Sequence, residues 1–169
     1  MKIIILGGGS IGSSVAKELS SEENDVVVID NNKKNLEPLK SIEGIKTVCG
    51  NGSSPRTLSQ SGLDDESLLL CLTDSEETNL LASIVGKHKF NAGRIVCRLK
   101  GSEYTKIAKE ITPFVDYFIN PEDLITDEIT AYFIIQDLLK SLILQKVHKT
   151  SECKSKNIWA FGRSPNQRA

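Results

Sequence analysis

Three glycines, Gly7, Gly9 and Gly12, stand in the spacing G-x-G-x-x-G, between the apolar run KIIIL and the helical pattern SIGSSVAKEL. Glycine is unfavourable at a helix start unless the chain must turn sharply or come close to something. In this spacing each glycine has a task. Gly7 permits the turn, Gly9 lets a pyrophosphate approach the backbone, and Gly12 lets the helix pack against the sheet. Free N–H groups of the first helical turn, with the positive end of the helix dipole, then face the phosphates. The pattern also requires an acid closing a second strand about 20 residues on. Asp30 is that acid, directly after VVVI. Its carboxylate suits both hydroxyls of a ribose and would repel a 2′-phosphate, which favours NAD over NADP. The competing reading is a ligand-free glycine turn beside a surface aspartate. A nucleotide-hydrolysing loop is excluded: Gly7 and Gly12 fit the ends of G-x-x-x-x-G-K-[ST], but Ser13 stands where its lysine belongs.

These residues need a scaffold, and the chain spells one out. Short apolar runs occur at Lys2–Leu6, Asp25–Asp30, Ile45–Cys49, Ser67–Leu72, Arg94–Arg98 and Val115–Ile119. Several are apolar on successive residues, the mark of strands covered on both faces of a parallel sheet. Helix punctuation lies between them. Ser54, Pro55 and Gly62 read as cap, first position and stop. Thr73 to Glu76, TDSE, reads as a capping box opening a helix with Leu80, Leu81, Ile84 and Val85 on one face. Asn120 and Pro121 open another. The alternation predicts an α/β fold, a doubly wound, parallel, six-stranded Rossmann-type sheet in the order 3-2-1-4-5-6.

A chain of 169 residues fits one ordinary domain, and its formal net charge of −1 gives no reason to expect nucleic acid as a partner. Of the four cysteines, Cys49, Cys71 and Cys97 end apolar runs and read as small core residues in a reducing compartment, with Cys153 in the tail. A redox or metal role stays open for Cys71 and Cys97 if their strands pair, although no metal site is expected. His88 and His148 lack ligand-like companions. The first apolar run stops at Gly7, too short for a signal peptide, which predicts a cytosolic protein.

The segments KIIILGGGSIGSSVAKEL, VVVID, VCGNGSSPRTLSQSG, CLTDSEETN and NPEDLI together resemble the nucleotide-binding domain of Trk/Ktr-type bacterial potassium uptake regulatory subunits, also called the KTN domain or RCK N-lobe. The resemblance covers residues 1 to about 133. It implies a cytoplasmic subunit at the inner face of the membrane that binds NAD(H), ATP or ADP. That subunit would gate a membrane potassium-translocating partner by changing shape. Carried over, it implies that Gly7, Gly9, Ser10, Ile11 and Gly12 hold phosphates, Asp30 the ribose and Asn51 the adenine edge. Thr73, Asp74 and Glu76 fall across the switch point, and Arg98 is placed to reach a phosphate. Plainer roles stand beside these: helix capping for Thr73 and Glu76, a turn for Asn51, a surface ion pair for Arg98.

A dehydrogenase or an NAD(H) redox-sensing regulator uses the same module. Here neither histidine ends a strand and no substrate domain follows, so a switch without catalytic residues is expected. From about Ile134 the resemblance stops. Residues 134–169 read either as a helix running to about Lys149 with a poorly ordered tail, or as a truncated or frameshifted end. The bulky residues Leu124, Ile125, Ile129, Phe133 and Leu138 predict a homodimer or higher oligomer.

Overall fold

The computed structural model describes residues 1–22 and 24–120, with the side chains of residues 102–104 left aside. The helix expected from Pro121, its apolar residues, Cys153, His148 and the tail from residue 134 lie outside the described residues.

Six strands, β1 (Lys2–Leu6), β2 (Asp25–Asp30), β3 (Ile45–Cys49), β4 (Leu68–Cys71), β5 (Arg94–Arg98) and β6 (Tyr117–Ile119), form one sheet. Their order is β3-β2-β1-β4-β5-β6 and every pairing is parallel. Ile3 to Leu6 and Val26 to Ile29 are buried along their whole length, as strands covered on both faces must be. The helices are α1 (Ser10–Ser20), the short α2 (Lys33–Leu36) followed by a 3₁₀ turn, α3 (Pro55–Gln60), α4 (Glu76–Phe90) and α5 (Ser102–Ile111). α1 buries Gly12, Val15, Ala16 and Leu19, a stripe at helical spacing, against β1 and β2. After β1 the chain builds outward through β2 and β3, then returns to place β4 on the other side. The carboxyl ends of β1 and β4 therefore flank the switch point, where ligands of open α/β sheets bind.

Two strands are shorter than their apolar runs. Ser67 exchanges hydrogen bonds with Asp64 in the preceding turn, so β4 starts at Leu68. Val115 N–H closes a turn on Thr112, and the Asp116 carboxylate accepts from Ile95 N–H and Arg94, so β6 starts at Tyr117. Cys71 and Cys97 are buried and directly opposed in neighbouring strands, whereas Cys49 is exposed rather than core. Burial pushes the Cys97 thiol up to about 11 and Cys71 higher still, so both stay protonated and poorly reactive.

The helix after β4 departs from expectation in two ways. Its N-cap is Ser75, whose Oγ accepts from Thr78 N–H, so Thr73 and Glu76 do not form a capping box. Its buried face is Asn79, Ala82, Ser83 and Gly86, while Leu81 is 49% exposed. Small residues win that face because the helix lies so close to the sheet. A Cβ on Gly86 would sit 2.6 Å from Leu69 Cδ2.

Asn79, fully buried, explains where the helix begins. Its Oδ1 accepts from Thr73 N–H at 3.1 Å and from Thr73 Oγ1 at 2.6 Å. Its Nδ2 donates to the carbonyls of Thr73 and Arg98, each at 2.9 Å. One side chain thus ties the ends of β4 and β5 together. Asn79→Ala strips partners from several buried backbone groups and is expected to lower stability by about 2–3 kcal/mol. Urea unfolding followed by circular dichroism checks this.

Candidate functional site

The carboxyl ends of β1 to β5 surround a cleft of about 460 Å³. From β1 come Gly7, Gly9, Ser10, Ile11 and Gly12, from β2 Asp30, from β3 Asn51, from β4 Thr73 and Asp74, and from β5 Arg98. Ten of the eleven residues expected at a binding site therefore face one space.

Glu76 is the exception. Its Oε1 accepts from the backbone N–H groups of Lys100 and Gly101, so the carboxylate fastens the loop after β5 instead of facing the cleft. Its partners lie 24 and 25 residues away in sequence, beyond the reach of any local motif.

The glycine turn divides its work sharply. Gly7 has φ +99°, a left-handed conformation that L side chains rarely adopt, and a Cβ there would press on Leu72 and on Thr73 N. A Cβ on Gly12 would lie 1.8 Å from the Gly7 carbonyl oxygen, so α1 is seated on the turn itself. A Cβ on Gly9 would meet nothing within 4 Å, and its backbone is ordinary, with φ −67° and ψ −166°. Protein packing therefore explains Gly7 and Gly12 but not Gly9, which leaves bare backbone facing open space at the start of α1. No side chain caps that helix, whose first amides point toward the cleft. A pyrophosphate fits such a cradle.

Asp30 does more than wait for a ribose. Its Oδ2 accepts from Gly8 N–H at 2.6 Å and Asn35 Nδ2 at 3.1 Å, and its Oδ1 accepts from Asn32 N–H at 2.7 Å. A carboxylate offers about four acceptor positions, so these three bonds leave roughly one for a ligand hydroxyl. That is one bond fewer than the two expected from the sequence. Asn35, with Asn31, also lines the cleft and was missed, because a polar run such as NNKKN carries no signal beyond a turn. Asn51 accepts from Ser53 N–H and Oγ through Oδ1, which shapes the loop after β3. Gly50 and Gly52 bring that loop close to Thr57 and Leu6: a Cβ on either would lie within 3 Å of those side chains.

The β4–β5 rim is ionic. Asp74 Oδ1 pairs with Arg98 Nη1 at 3.0 Å and with Lys100 Nζ at 3.4 Å. The Asp74 side chain is 88% exposed while that of Arg98 is only 12% exposed. Partial desolvation raises the Asp74 carboxyl, but Lys100 and Arg98 outweigh it and hold the group below the ordinary aspartate value. Arg98 Nε is buried and has no hydrogen-bond partner among the described residues.

The sequence profile of the TrkA-N domain matches residues 3–121, which hold both the sheet and the cleft. The chain belongs to the TrkA-N family. It is 38% identical over 135 residues to the Trk system potassium uptake protein TrkA of Haemophilus influenzae, covering 77% of this chain and 29% of that protein. Against the protein of the same name from Halomonas elongata it is 37% identical over 133 residues, covering 76% and 29%. This TrkA-N chain thus spans less than a third of the length of these relatives. Among solved structures, the TrkA-N domain of the inner membrane protein ybaL from Escherichia coli superposes with a TM-score of 0.64 at 16% identity, covering 83% of this chain and 96% of that one. The GsuK channel bound to NAD gives 0.58 at 17% identity, covering 71% and 21%. GsuK bound to ADP gives 0.59 at 17% identity, covering 70% and 31%. At these identities the likeness is one of fold.

Because Gly12 is packed against backbone and Gly9 is not, these two glycines respond differently to one added methyl. Gly12→Ala is expected to cost about 3 kcal/mol, the upper end of ordinary overpacking. Gly9→Ala is expected to unfold at the wild-type urea midpoint.

Proposed function

We propose that this TrkA-N chain is a nucleotide-binding regulatory module, without catalytic activity, that governs potassium uptake through a membrane partner. The observation that carries the reading is Gly9: bare backbone of unstrained geometry, open to the cleft, opposite the acid that ends β2. NAD(H) fits the proposal best, with ADP and ATP as further candidates. The amides of Gly9, Ser10, Ile11 and Gly12 would hold the phosphates, Asp30 one ribose hydroxyl, and Asn51 the edge of the base. Thr73, Asp74 and Arg98 would meet whatever lies beyond the pyrophosphate. Support comes from the potassium uptake proteins named above as relatives and from the fold neighbours whose descriptions name NAD and ADP.

A binding role suits the groups at the β4 and β5 ends better than proton transfer does. Thr73 is engaged with Asn79 and Ser75, Asp74 and Arg98 with each other, and His88 stacks edge-on against Phe114 at 5.1 Å. Among the described residues no helix is long and apolar enough to cross a membrane. Assembly as a homodimer or higher oligomer at the cytoplasmic face is part of the same proposal.

Gly9→Val tests it. Valine accepts the extended backbone found there and has room, so the fold should stand while the branches fill the phosphate cradle. Calorimetry should show NAD and ADP binding in the wild type and none in the variant. Asp30→Ala should weaken NAD by about 1.5–3 kcal/mol, the scale of a charge-assisted hydrogen bond. In cells lacking the regulator, the full-length protein should restore potassium uptake and its Gly9→Val form should not. Equal nucleotide affinity in wild type and Gly9→Val would overturn the assignment of the cleft.

A further inference from the structure

Strand order sets the order of groups along the cleft: Asn51, Asp30, the glycine turn, Thr73 with Asp74, then Arg98. Neighbouring strands lie about 4.8 Å apart, so Arg98 at β5 is on the order of 14 Å from Asp30 at β2. A nucleotide anchored by its ribose at Asp30 and its phosphates at the glycine turn must direct its far end at the Asp74–Arg98 rim. In a triphosphate that end is the terminal phosphate. In a dinucleotide it is the second ribose.

The rim holds two cations, Arg98 and Lys100, and one carboxylate that pairs with both. Arg98 is nearly buried, and it meets the rim through Nη1, the donor that Asp74 occupies. Asp74 is almost fully exposed, so no packing holds it in place and its ion pairs can be exchanged.

We propose that Asp74 is a specificity-determining residue, an internal counter-anion that occupies the phosphate-receiving face of Arg98 and disfavours nucleoside triphosphates relative to dinucleotides. A terminal phosphate has to displace the carboxylate from Arg98 and then remain beside it. A second ribose brings hydroxyls, which donate to that carboxylate and need displace nothing. This deepens the nucleotide reading of the cleft and rests on it.

The test is titration calorimetry of the full chain with NAD, ADP and ATP, using wild type, Asp74→Asn and Asp74→Asn/Arg98→Gln, at low and high salt. Asp74→Asn should raise the ATP-to-NAD affinity ratio on the order of tenfold, a modest coupling for charged groups in contact. High salt should shrink that gain, and the added Arg98→Gln should remove most of it. ADP, which ends at the glycine turn, should change least. Circular dichroism and the urea midpoint of each variant serve as the folding control. If Asp74→Asn is folded and its ATP-to-NAD ratio has not risen, the role given to Asp74 is wrong while the nucleotide cleft stands. If wild type binds none of the three, the nucleotide reading falls and takes this inference with it.

Discussion

Helix α1 can leave the sheet only because two glycines touch. With a hypothetical Cβ of Gly12 only 1.8 Å from the Gly7 carbonyl oxygen, the helix axis starts as near to the β1 carboxyl end as atoms allow. Gly7 is itself wedged against Leu72 and Thr73, which directly follow β4. One line of contact therefore fixes the positions of β1, α1 and β4 together. The direction of the first α1 amides follows from it, and so does the depth of the cleft. Interiors are packed densely enough that a displacement at such a point is passed on instead of absorbed.

Around that contact, the side chains that shape the cleft are polar and already occupied. Asp30 holds Gly8 and the turn after β2, and Asn79 spans the ends of β4 and β5. Asn79 is fully buried and Asp30 partly so; polar groups withdrawn from water are costly unless satisfied, and each of these two is satisfied several times over. The consequence for binding is that little acceptor capacity is left over. A ligand meets a floor whose hydrogen bonds are largely made, with the glycine amides and the ionic rim as the groups still able to respond.

The sheet was legible because its signal is collective. Runs such as VVVI and LLLC are apolar on consecutive residues, and only burial on both faces rewards that, so strand positions, parallel pairing and order followed. The glycine turn and Asp30 were legible because their spacing mirrors a fixed backbone geometry. What failed was local reading of residues whose partners are distant. TDSE has the form of a capping box, yet Thr73 is claimed by Asn79 and Glu76 by the loop after β5, so Ser75 becomes the cap. The face of α4 was read only in part. Leu80 and Val85 do pack, partly buried, against the core, but Leu81 is exposed and the fully buried positions are Asn79, Ala82, Ser83 and Gly86, where the helix lies closest to the sheet. Cys49 was assigned to the core by the run preceding it, although β3 is an edge strand of the described sheet.

The two sides of the cleft differ in stiffness, and the difference bears on how a bound nucleotide would be read out. The β1–β2 side is set by backbone contact and by short hydrogen bonds to Asp30, with no slack for a ligand to take up. The β4–β5 rim rests on ion pairs to an exposed carboxylate, and pairs of that kind contribute about 0–1 kcal/mol each and exchange readily. A ligand can bias an equilibrium only through contacts that differ between its states. Adenine nucleotides share their ribose and first phosphates, so they would act alike on the stiff side. Their chemical differences lie at the far end, against the side whose outermost contacts are ion pairs to an exposed carboxylate. The loop after β5 is tied to α4 through Glu76, and the end of β5 to the end of β4 through Asn79. Movement at the rim would therefore be carried by β5 and α4 as a unit rather than lost in a loop.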